Sequence, residues 1–413
     1  MEQKMTKLEK NWILYDVGNS AYTMLVTTII PIYFKYIATG QGVSSVDYLA
    51  YWGYAASIVT LIVAILGPII GTFTDNKDFK KPIFCISLAV GSIGCVCLGF
   101  LKYWLLFLVV FIISKIGYAS SLIFYDSMLP DVTTTERMDR VSTSGYAWGY
   151  IGSCIPFIAC LGVVLGKDVI GISMEVAMAL AFLITAAWWV LMTVPLLRSY
   201  KQKYYVECRE HAVAETFKRL GRTLLNARKH SKIFWFLVAF FFYIDGVYTV
   251  IDMATSYGEA LGLASSGLLL ALLVTQLVAF PCAIIFGRLA QKYRSEQLIT
   301  VCILAYLGIA VFAMFLTNLV EFWILAVMVG MFQGGIQALS RSYFTKIIPP
   351  EQSGEFFGIY DICGKGAAFL GTTLVGVISQ LTGSINKGIS VLSLLFILGL
   401  FFFRIAVKSA WEN

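Results

Sequence analysis

Charge is what this chain has least of. Of its 413 residues 13% are charged and 59% are hydrophobic, whereas soluble domains carry roughly a quarter charged residues. With a mean hydropathy of +0.79, that shortage excludes a water-soluble globular fold. Histidine is nearly absent: His211 and His230 both lie in the basic central segment, and no apolar stretch contains one. This argues against a metal centre or histidine catalysis at membrane depth. No glycine-rich loop runs into Lys-Ser/Thr, and Gly91-x-x-Gly94 sits inside an apolar run where it cannot cradle phosphate. Energy is therefore expected from an ion or solute gradient, with no cofactor. Sustained apolar/polar alternation is missing, which argues against a β-barrel. Nine cysteines are present, most of them in apolar runs and none at metal-ligand spacing, so they read as core residues. The opening MEQKMTKLEK lacks the apolar core of a signal peptide, and the first apolar span is expected to direct insertion itself.

What is abundant is long apolar runs, such as 61–70, 105–113 and 391–403. Each extends to the ~20 residues that a helix needs to cross a hydrocarbon core, where backbone polar groups must be satisfied internally. Spans are predicted at 12–37, 49–72, 83–101, 104–128, 141–166 and 174–197, then at 232–258, 265–287, 297–317, 321–345, 356–381 and 387–409. The sequence thus divides into a first bundle (1–197), a basic linker (198–231) and a second bundle (232–413). In the linker, Ala214, Phe217, Leu220, Leu224 and Leu225 fall at helical spacing opposite Lys218, Arg219, Arg222, Arg228 and Lys229. That pattern describes an amphipathic helix on a lipid surface and argues against a nucleic-acid partner.

The halves echo each other. Span two ends in Gly67-Pro68-Ile-Ile-Gly71-Thr-Phe-Thr-Asp75, followed by Lys77, Lys80 and Lys81. Span eight ends in Gly287-Arg288-Leu-Ala-Gln291-Lys292-Tyr-Arg294. Tyr15-Asp16-Val-Gly18 in span one is matched in kind by Tyr243-Ile-Asp245-Gly246 in span seven. Repeated six-span halves with a site between them are a transporter architecture.

Gly71-x-x-x-Asp75 with its lysines resembles the loop between helices two and three of the major facilitator superfamily. It departs from that pattern in having Asp78 where a glycine is usual, and Gln291 where the second copy often has an acid. More specific are Tyr15-Asp16-Val-Gly-Asn19-Ser20-Ala-Tyr22, Phe242-Tyr-Ile-Asp245-Gly246-Val, Gly334-Gly-Ile-Gln337-Ala-Leu-Ser340-Arg341-Ser and Gly354-Glu355-Phe-Phe-Gly358-Ile-Tyr360. Together they resemble the "unknown major facilitator" family, whose eukaryotic relatives are autophagy-related vacuolar effluxers. The resemblance implies an all-α membrane protein of twelve transmembrane helices in two pseudo-symmetric six-helix bundles. It further implies a secondary transporter and, by analogy with the vacuolar members, amino-acid export. In that architecture helices one, four, seven and ten line the cavity.

Charges at the centre of a span cost at least about 2.5–3.5 kcal/mol each, so they usually face a cavity or a partner. Asp16, Asn19 and Thr23 share one face of the first span. Asp16 lies only about 6 Å from Trp12, which leaves it either an inner-rim gate residue or a solute or proton contact. Lys115, about 16 Å along the fourth span, is near the midplane with Tyr118 on its side, and Asp126 is near the inner end. In the seventh span Asp245 is about 20 Å from Lys232, with Tyr248 and Asp252 on its stripe. Asp245 reads as a solute- or proton-binding acid, or as a neutral structural carboxyl. Gln333 and Gln337 offer hydrogen bonds in the tenth span, and Arg341 near its inner end reads as a lipid-phosphate contact or a gate residue. Asp361 and Lys365, at i and i+4, pair with each other or face the cavity. The binding candidates are Asp16, Asn19, Lys115, Tyr118, Asp245, Tyr248, Asp252, Gln333, Gln337 and Lys365. The gating candidates are Gly71, Asp75, Lys80, Lys81, Asp126, Arg341 and Asp361. Asp75 is expected to act on the N-terminal end of the eleventh helix, since helix N-termini attract carboxylates, or on a base near the inner end of the fourth. Lys115 and Asp245 are expected to meet across the cavity and hold the two ends of a polar solute.

The leading reading is a monomeric transporter of an amino acid or similar zwitterion or anion, exporting it with possible help from protons. A membrane-embedded enzyme and a lipid flippase are the alternatives. The expected location is a cell membrane. On this topology the side bearing the termini and linker holds 25 Lys and Arg, and the other side holds four: Lys35, Lys102, Lys167 and Lys387. The positive-inside rule then makes the termini cytoplasmic. Single cysteines placed at Lys102 and Lys387 will react with an impermeant thiol reagent added outside intact cells, and protection of either would overturn the orientation.

Overall fold

The computed structural model describes residues 4–207, 231–260, 262–263 and 265–408. The central amphipathic stretch expected at 214–229 lies outside the described residues, as does the side chain of Lys365. Twelve long helices run through the described chain. In the first half they are α1 (Lys7–Gly40), α2 (Ser45–Thr74), α3 (Lys80–Leu98), α4 (Trp104–Ser127), α5 (Met138–Leu165) and α6 (Met174–Ser199). In the second they are α7 (Ser231–Ala260), α8 (Ser265–Leu289), α9 (Ser295–Ala313), α10 (Leu319–Ile347), α11 (Ser353–Thr382) and α12 (Ile385–Lys408).

Helix ends are set by local chemistry. Thr6 and Glu9 form a reciprocal capping box at the start of α1, and Ser44, Ser173 and Asn318 cap α2, α6 and α10 with their side chains. Gly171, at φ 77°, closes the short loop before α6 in a left-handed conformation. Several helices exceed the predicted spans. With 34 residues, α1 is about 51 Å long, so its first turns project beyond a hydrocarbon core of roughly 30 Å. Among the described residues, eleven helical segments are long and apolar enough to cross a membrane by length and composition.

Within the halves, α1 packs on α5 and α6, and α7 packs on α12 and α11. Between the halves, α2 packs on α11 and α5 on α8. The α2–α11 seam rests on glycine from both sides. A Cβ at Gly71 would lie 2.2 Å from the Gly354 carbonyl oxygen, and one at Gly358 would lie 2.6 Å from Pro68 Cα. Gly67/Gly71 and Gly354/Gly358 are thus reciprocal pairs at i and i+4, an arrangement that lets helix backbones approach closely in lipid.

The repeat read from the sequence is present in three dimensions, in a register that differs from the apparent one. Tyr15 of α1 bonds Ser121 of α4 at 2.6 Å, and Tyr243 of α7 bonds Ser340 of α10 at 2.7 Å. Three residues after each tyrosine, Gly18 packs on Trp189 and Met192 of α6, and Gly246 packs on Phe396 of α12. The tyrosines and glycines are therefore equivalent. The aspartates are not: Asp16 follows its tyrosine by one residue and Asp245 by two, and one residue is about 100° around a helix.

We expect Gly71→Val to drive a side chain into the Gly354 carbonyl and to destabilise the protein by about 1–3 kcal/mol, visible as a lower melting temperature. Gly376→Val, where nothing lies within 4 Å, should melt like the parent. Equal melting of the two variants would refute the close α2–α11 approach.

Candidate functional site

The end of the molecule where α1 begins and α12 ends, termed the inner end from the charge asymmetry of the sequence, is closed by polar contacts between the halves. Asp75, at the end of α2, accepts the Gly354 amide at 2.7 Å and the Glu355 amide at 3.0 Å, at the N-terminus of α11. Those amides have no carbonyl partner within the helix, which is why a carboxylate seats there. Lys80, fully buried, donates to Ser353 Oγ at 2.9 Å and to the Ser127 carbonyl at 3.1 Å, with Asp131 at 3.5 Å. Lys81, the next residue, lies beside Cys85 instead. The equivalent corner of the other half uses different chemistry. Asp139, in the first turn of α5, accepts from Ser342 at 2.5 Å, Lys346 at 2.5 Å and Ser295 at 2.8 Å, all in the second half. This contact makes up for the missing acid at Gln291.

The start of the linker is sewn onto the same corner. Asp131 accepts from Tyr200 Oη at 2.6 Å and from the amides of Lys203 and Tyr204 at 2.9 Å. Burial, with Asp131 alongside, holds the Tyr200 phenol well above its ordinary pKa. The Val206 amide bonds the Asp75 carbonyl at 2.8 Å.

One layer deeper lies Arg341. The sequence left it either facing lipid phosphates or at a gate, and the structure excludes the first. It is 2% exposed and inserted into the first half. Its Nη1 donates to Asp126 at 2.9 Å and its Nη2 lies 3.3 Å from Asp16. Ser142 accepts through its hydroxyl at 2.9 Å and its carbonyl at 3.0 Å. The guanidinium is sandwiched between the Trp12 ring at 4.7 Å and the Tyr146 ring at 4.5 Å, which adds cation–π attraction in a desolvated site. Asp16 also accepts from Tyr125 at 2.8 Å and Asn19 at 3.3 Å. Gly145 is obligatory here, because a Cβ would sit 2.3 Å from the Asp16 carboxylate. Asp16, Asn19, Asp126 and Arg341 are therefore one cluster, a floor that ties α1 and α4 to α10. Asp361 of α11 is in electrostatic range of Asp126.

Beyond the floor the wall opens. The α1 face passes from buried Asp16 and Asn19 to exposed Thr23 and Thr27. Thr23 bonds Tyr118 Oη at 2.5 Å. Lys115 Nζ lies 4.7 Å from the Tyr118 ring centroid and 5.8 Å from that of Tyr22. Opposite, Asp252 of α7 is exposed and interacts electrostatically with Lys115. Tyr248 packs near Gly364 of α11, within range of Asp126, Asp252 and Asp361. On α10, Gln333 is buried and Gln337 half-buried.

The expected meeting of Lys115 with Asp245 is corrected: Asp245 is bound to α11, and Asp252 is an acid within electrostatic range of Lys115. Asp245 is fully buried and turned into α11, where it accepts the Gly371 amide at 2.9 Å and Thr249 Oγ1 at 3.3 Å. The cause is the one-residue offset between the repeats, which rotates Asp245 away from the face that Asp16 occupies. The sequence reading also missed Asp131, Asp139, Ser142 and Ser353. They looked like loop or helix-start residues, and their partners come from the linker start for Asp131, from α9 and α10 for Asp139 and Ser142, and from Lys80 and Ser127 for Ser353. The available signal was the acidic first turn shared by α5 (Asp139) and α11 (Glu355).

Comparison with known proteins agrees with this geometry. The family model described as "Vacuole effluxer Atg22 like" matches residues 5–138 and 131–411. An uncharacterized MFS-type transporter, YxiO, of Bacillus subtilis (strain 168) is 44% identical over 405 residues, covering 97% of this chain and 95% of that one. Autophagy-related protein 22 of Coccidioides immitis (strain RS) is 23% identical, over 84% of this chain and 70% of its own. Among solved structures, the major facilitator superfamily (MFS) transporter FucP in the outward conformation superposes with a TM-score of 0.74 over 97% of both chains, at 14% identity. A bacterial homologue of the iron transporter ferroportin, also outward-facing, superposes at 0.69 over 97% of this chain and 98% of that one, at 15% identity. These relatives are transporters and not enzymes, and with a family match spanning nearly the whole chain, this multi-pass membrane protein belongs to the vacuole effluxer Atg22-like family of MFS-type transporters.

Proposed function

We propose that this transporter exports a small zwitterion of the amino-acid type by alternating access, driven by protons moving the other way. The observation that carries the reading is the opposition of Lys115 and Asp252. One comes from each half, and they lie within electrostatic range of each other. A carboxylate end would seat on Lys115, which Tyr118 and Tyr22 hold in place from below. An ammonium end would seat on Asp252. A solute bridging the two replaces their mutual attraction and ties the halves together, which is the differential interaction that alternating access requires.

The closed inner end, by the 25-to-four cation asymmetry, faces the cytoplasm. The state described is then outward-facing, like the two neighbours above. Export rather than uptake is supported by the effluxer description of the family. The floor residues Asp16, Asp126 and Arg341, with Asp75 and Lys80 at the seam, act as the inner gate in this scheme. Their contacts join the two halves, so they must part before solute can enter from within.

The test is solute counterflow in proteoliposomes with a panel of neutral amino acids, organic anions and organic cations. Hydrogen bonds to charged groups contribute about 1.5–3 kcal/mol, so Lys115→Ala should weaken zwitterion and anion binding about 10- to 100-fold and leave cations little changed. Asp252→Asn should weaken zwitterions and cations by a similar factor and leave anions little changed. Equal losses for all three solute classes in both variants would remove this site from the solute path.

A further inference from the structure

The pseudo-symmetry of the two halves singles out one buried acid. Position for position, with Tyr15 matched to Tyr243 and Gly18 to Gly246, the residue equivalent to Asp245 is Val17. The surroundings match as well. Val17 packs on α5, where a Cβ at Gly152 would lie 2.5 Å from Val17 Cγ1, and Asp245 packs on α11, where a Cβ at Gly371 would lie 2.4 Å from Asp245 Oδ1. One half thus places an apolar side chain against a glycine of its neighbour helix, and the other half places a carboxyl in the same niche. Packing does not call for the carboxyl, because the first half achieves the same contact with a valine.

The carboxyl is also unevenly satisfied. Its Oδ1 accepts both the Gly371 amide and Thr249 Oγ1, while its Oδ2 is buried and has no hydrogen-bond partner among the described residues. No charged side chain among them acts on it; the influences on it are burial, the Gly371 amide and the Thr249 hydroxyl. Among the described residues, which leave out the Lys365 side chain, the charges on the helices packed against α7 lie elsewhere. Arg341 and Lys346 of α10 bind Asp16, Asp126 and Asp139, Asp361 of α11 acts on Asp126, and Glu296 of α9 pairs with Arg294. Glu321 starts α10, Glu355 starts α11, Arg288 ends α8, and Lys387 and Arg404 lie near the two ends of α12. A carboxylate with one bare oxygen in an apolar interior is costly. One proton on that oxygen removes the charge and leaves the two bonds at Oδ1 intact.

From this asymmetry we infer that Asp245 is a proton-binding site built into the α7–α11 contact, separate from the solute site at Lys115 and Asp252. In the state described, Oδ2 carries a proton taken from water on the outer side, through an O–H bond formed at that oxygen. When α7 and α11 move as the inner end opens, the bond breaks and the proton leaves to water on the inner side. Asp252 lies seven residues further along α7, about 10 Å away, so proton and solute bind the same helix without sharing a group. The inference rests on the proton-driven reading above, and its primary readout needs no solute, so the two can fail independently.

The experiment is infrared difference spectroscopy on the purified full-length protein during a pH step. A protonated-carboxyl C=O band that shifts in D2O is expected in the parent and in Asp252→Asn, and it should be absent from both Asp245→Asn and Asp245→Val. The valine variant restores the residue of the symmetric position, and the asparagine variant keeps an acceptor for Gly371 if valine does not fold. In proteoliposomes, accumulation driven by a pH gradient, divided by solute-for-solute exchange in the same vesicles, should fall at least about tenfold in both. A band that persists in either variant, or a ratio that stays at the parental value, would overturn the inference. So would loss of the folded protein in both variants, because that outcome makes Asp245 a structural carboxyl.

Discussion

A guanidinium buried at 2% exposure cannot be left unpaired, since breaking a buried ion pair by removing one partner costs about 3–5 kcal/mol. Arg341 stands on α10 of the second half, and both carboxylates that neutralise it, Asp16 and Asp126, stand on the first. The halves are therefore obliged to meet at that depth whenever Arg341 is dehydrated. Other features follow from the obligation. Trp12 and Tyr146 shield the charge, Gly145 makes room for the Asp16 carboxylate, and Ser142 accepts from Nε and Nη2 while its hydroxyl donates to the Ala338 carbonyl at 2.8 Å. The α2–α11 glycine seam and the Asp75 contact at the α11 N-terminus complete the closure nearer the inner surface.

The same duplicated framework is used differently on its two sides. Structural positions are repeated faithfully: tyrosine to serine between the first and fourth helices of each half, and glycine against the sixth. Charged positions are not repeated. The first half contributes Lys115 and two floor acids, and the second contributes Arg341, Asp252 and the isolated Asp245. At Arg341 and at Asp139 opposite charges thus face each other between halves, so electrostatic attraction there holds one half against the other.

Much of this was legible in the sequence because lipid imposes simple rules. Twelve apolar runs gave the helices, whereas the close packing of Gly67 and Gly71 on Gly354 and Gly358 shows only once α2 and α11 stand side by side. The acids and bases inside spans were recognisable as groups that need a partner or a polar surround because they are too costly to face lipid. Which of them meet was not legible. Arg341 near a helix end looks like an ordinary interfacial arginine until α1 and α4 are placed beside it. Asp16 and Asp245 look equivalent in a motif comparison that tolerates one residue of slippage, yet that slippage turns a side chain by about 100° from the floor to the α11 contact. Asp131 and Asp139 read as loop acids because their partners come from the linker start and from the opposite half.

The central claim is that contacts between the halves at Arg341 and Asp75 hold the inner end shut. Pulsed electron paramagnetic resonance tests it most directly, with spin labels at the exposed positions Lys10 and Lys292 of the full-length protein in lipid and the exposed Cys97 replaced by serine. The account predicts one short distance population in the parent. Asp75→Ala, which leaves two α11 amides without their acceptor, and Arg341→Ala, which leaves Asp16 and Asp126 without their cation, should each transfer a substantial fraction to a longer distance. Distributions unchanged in both variants would contradict it.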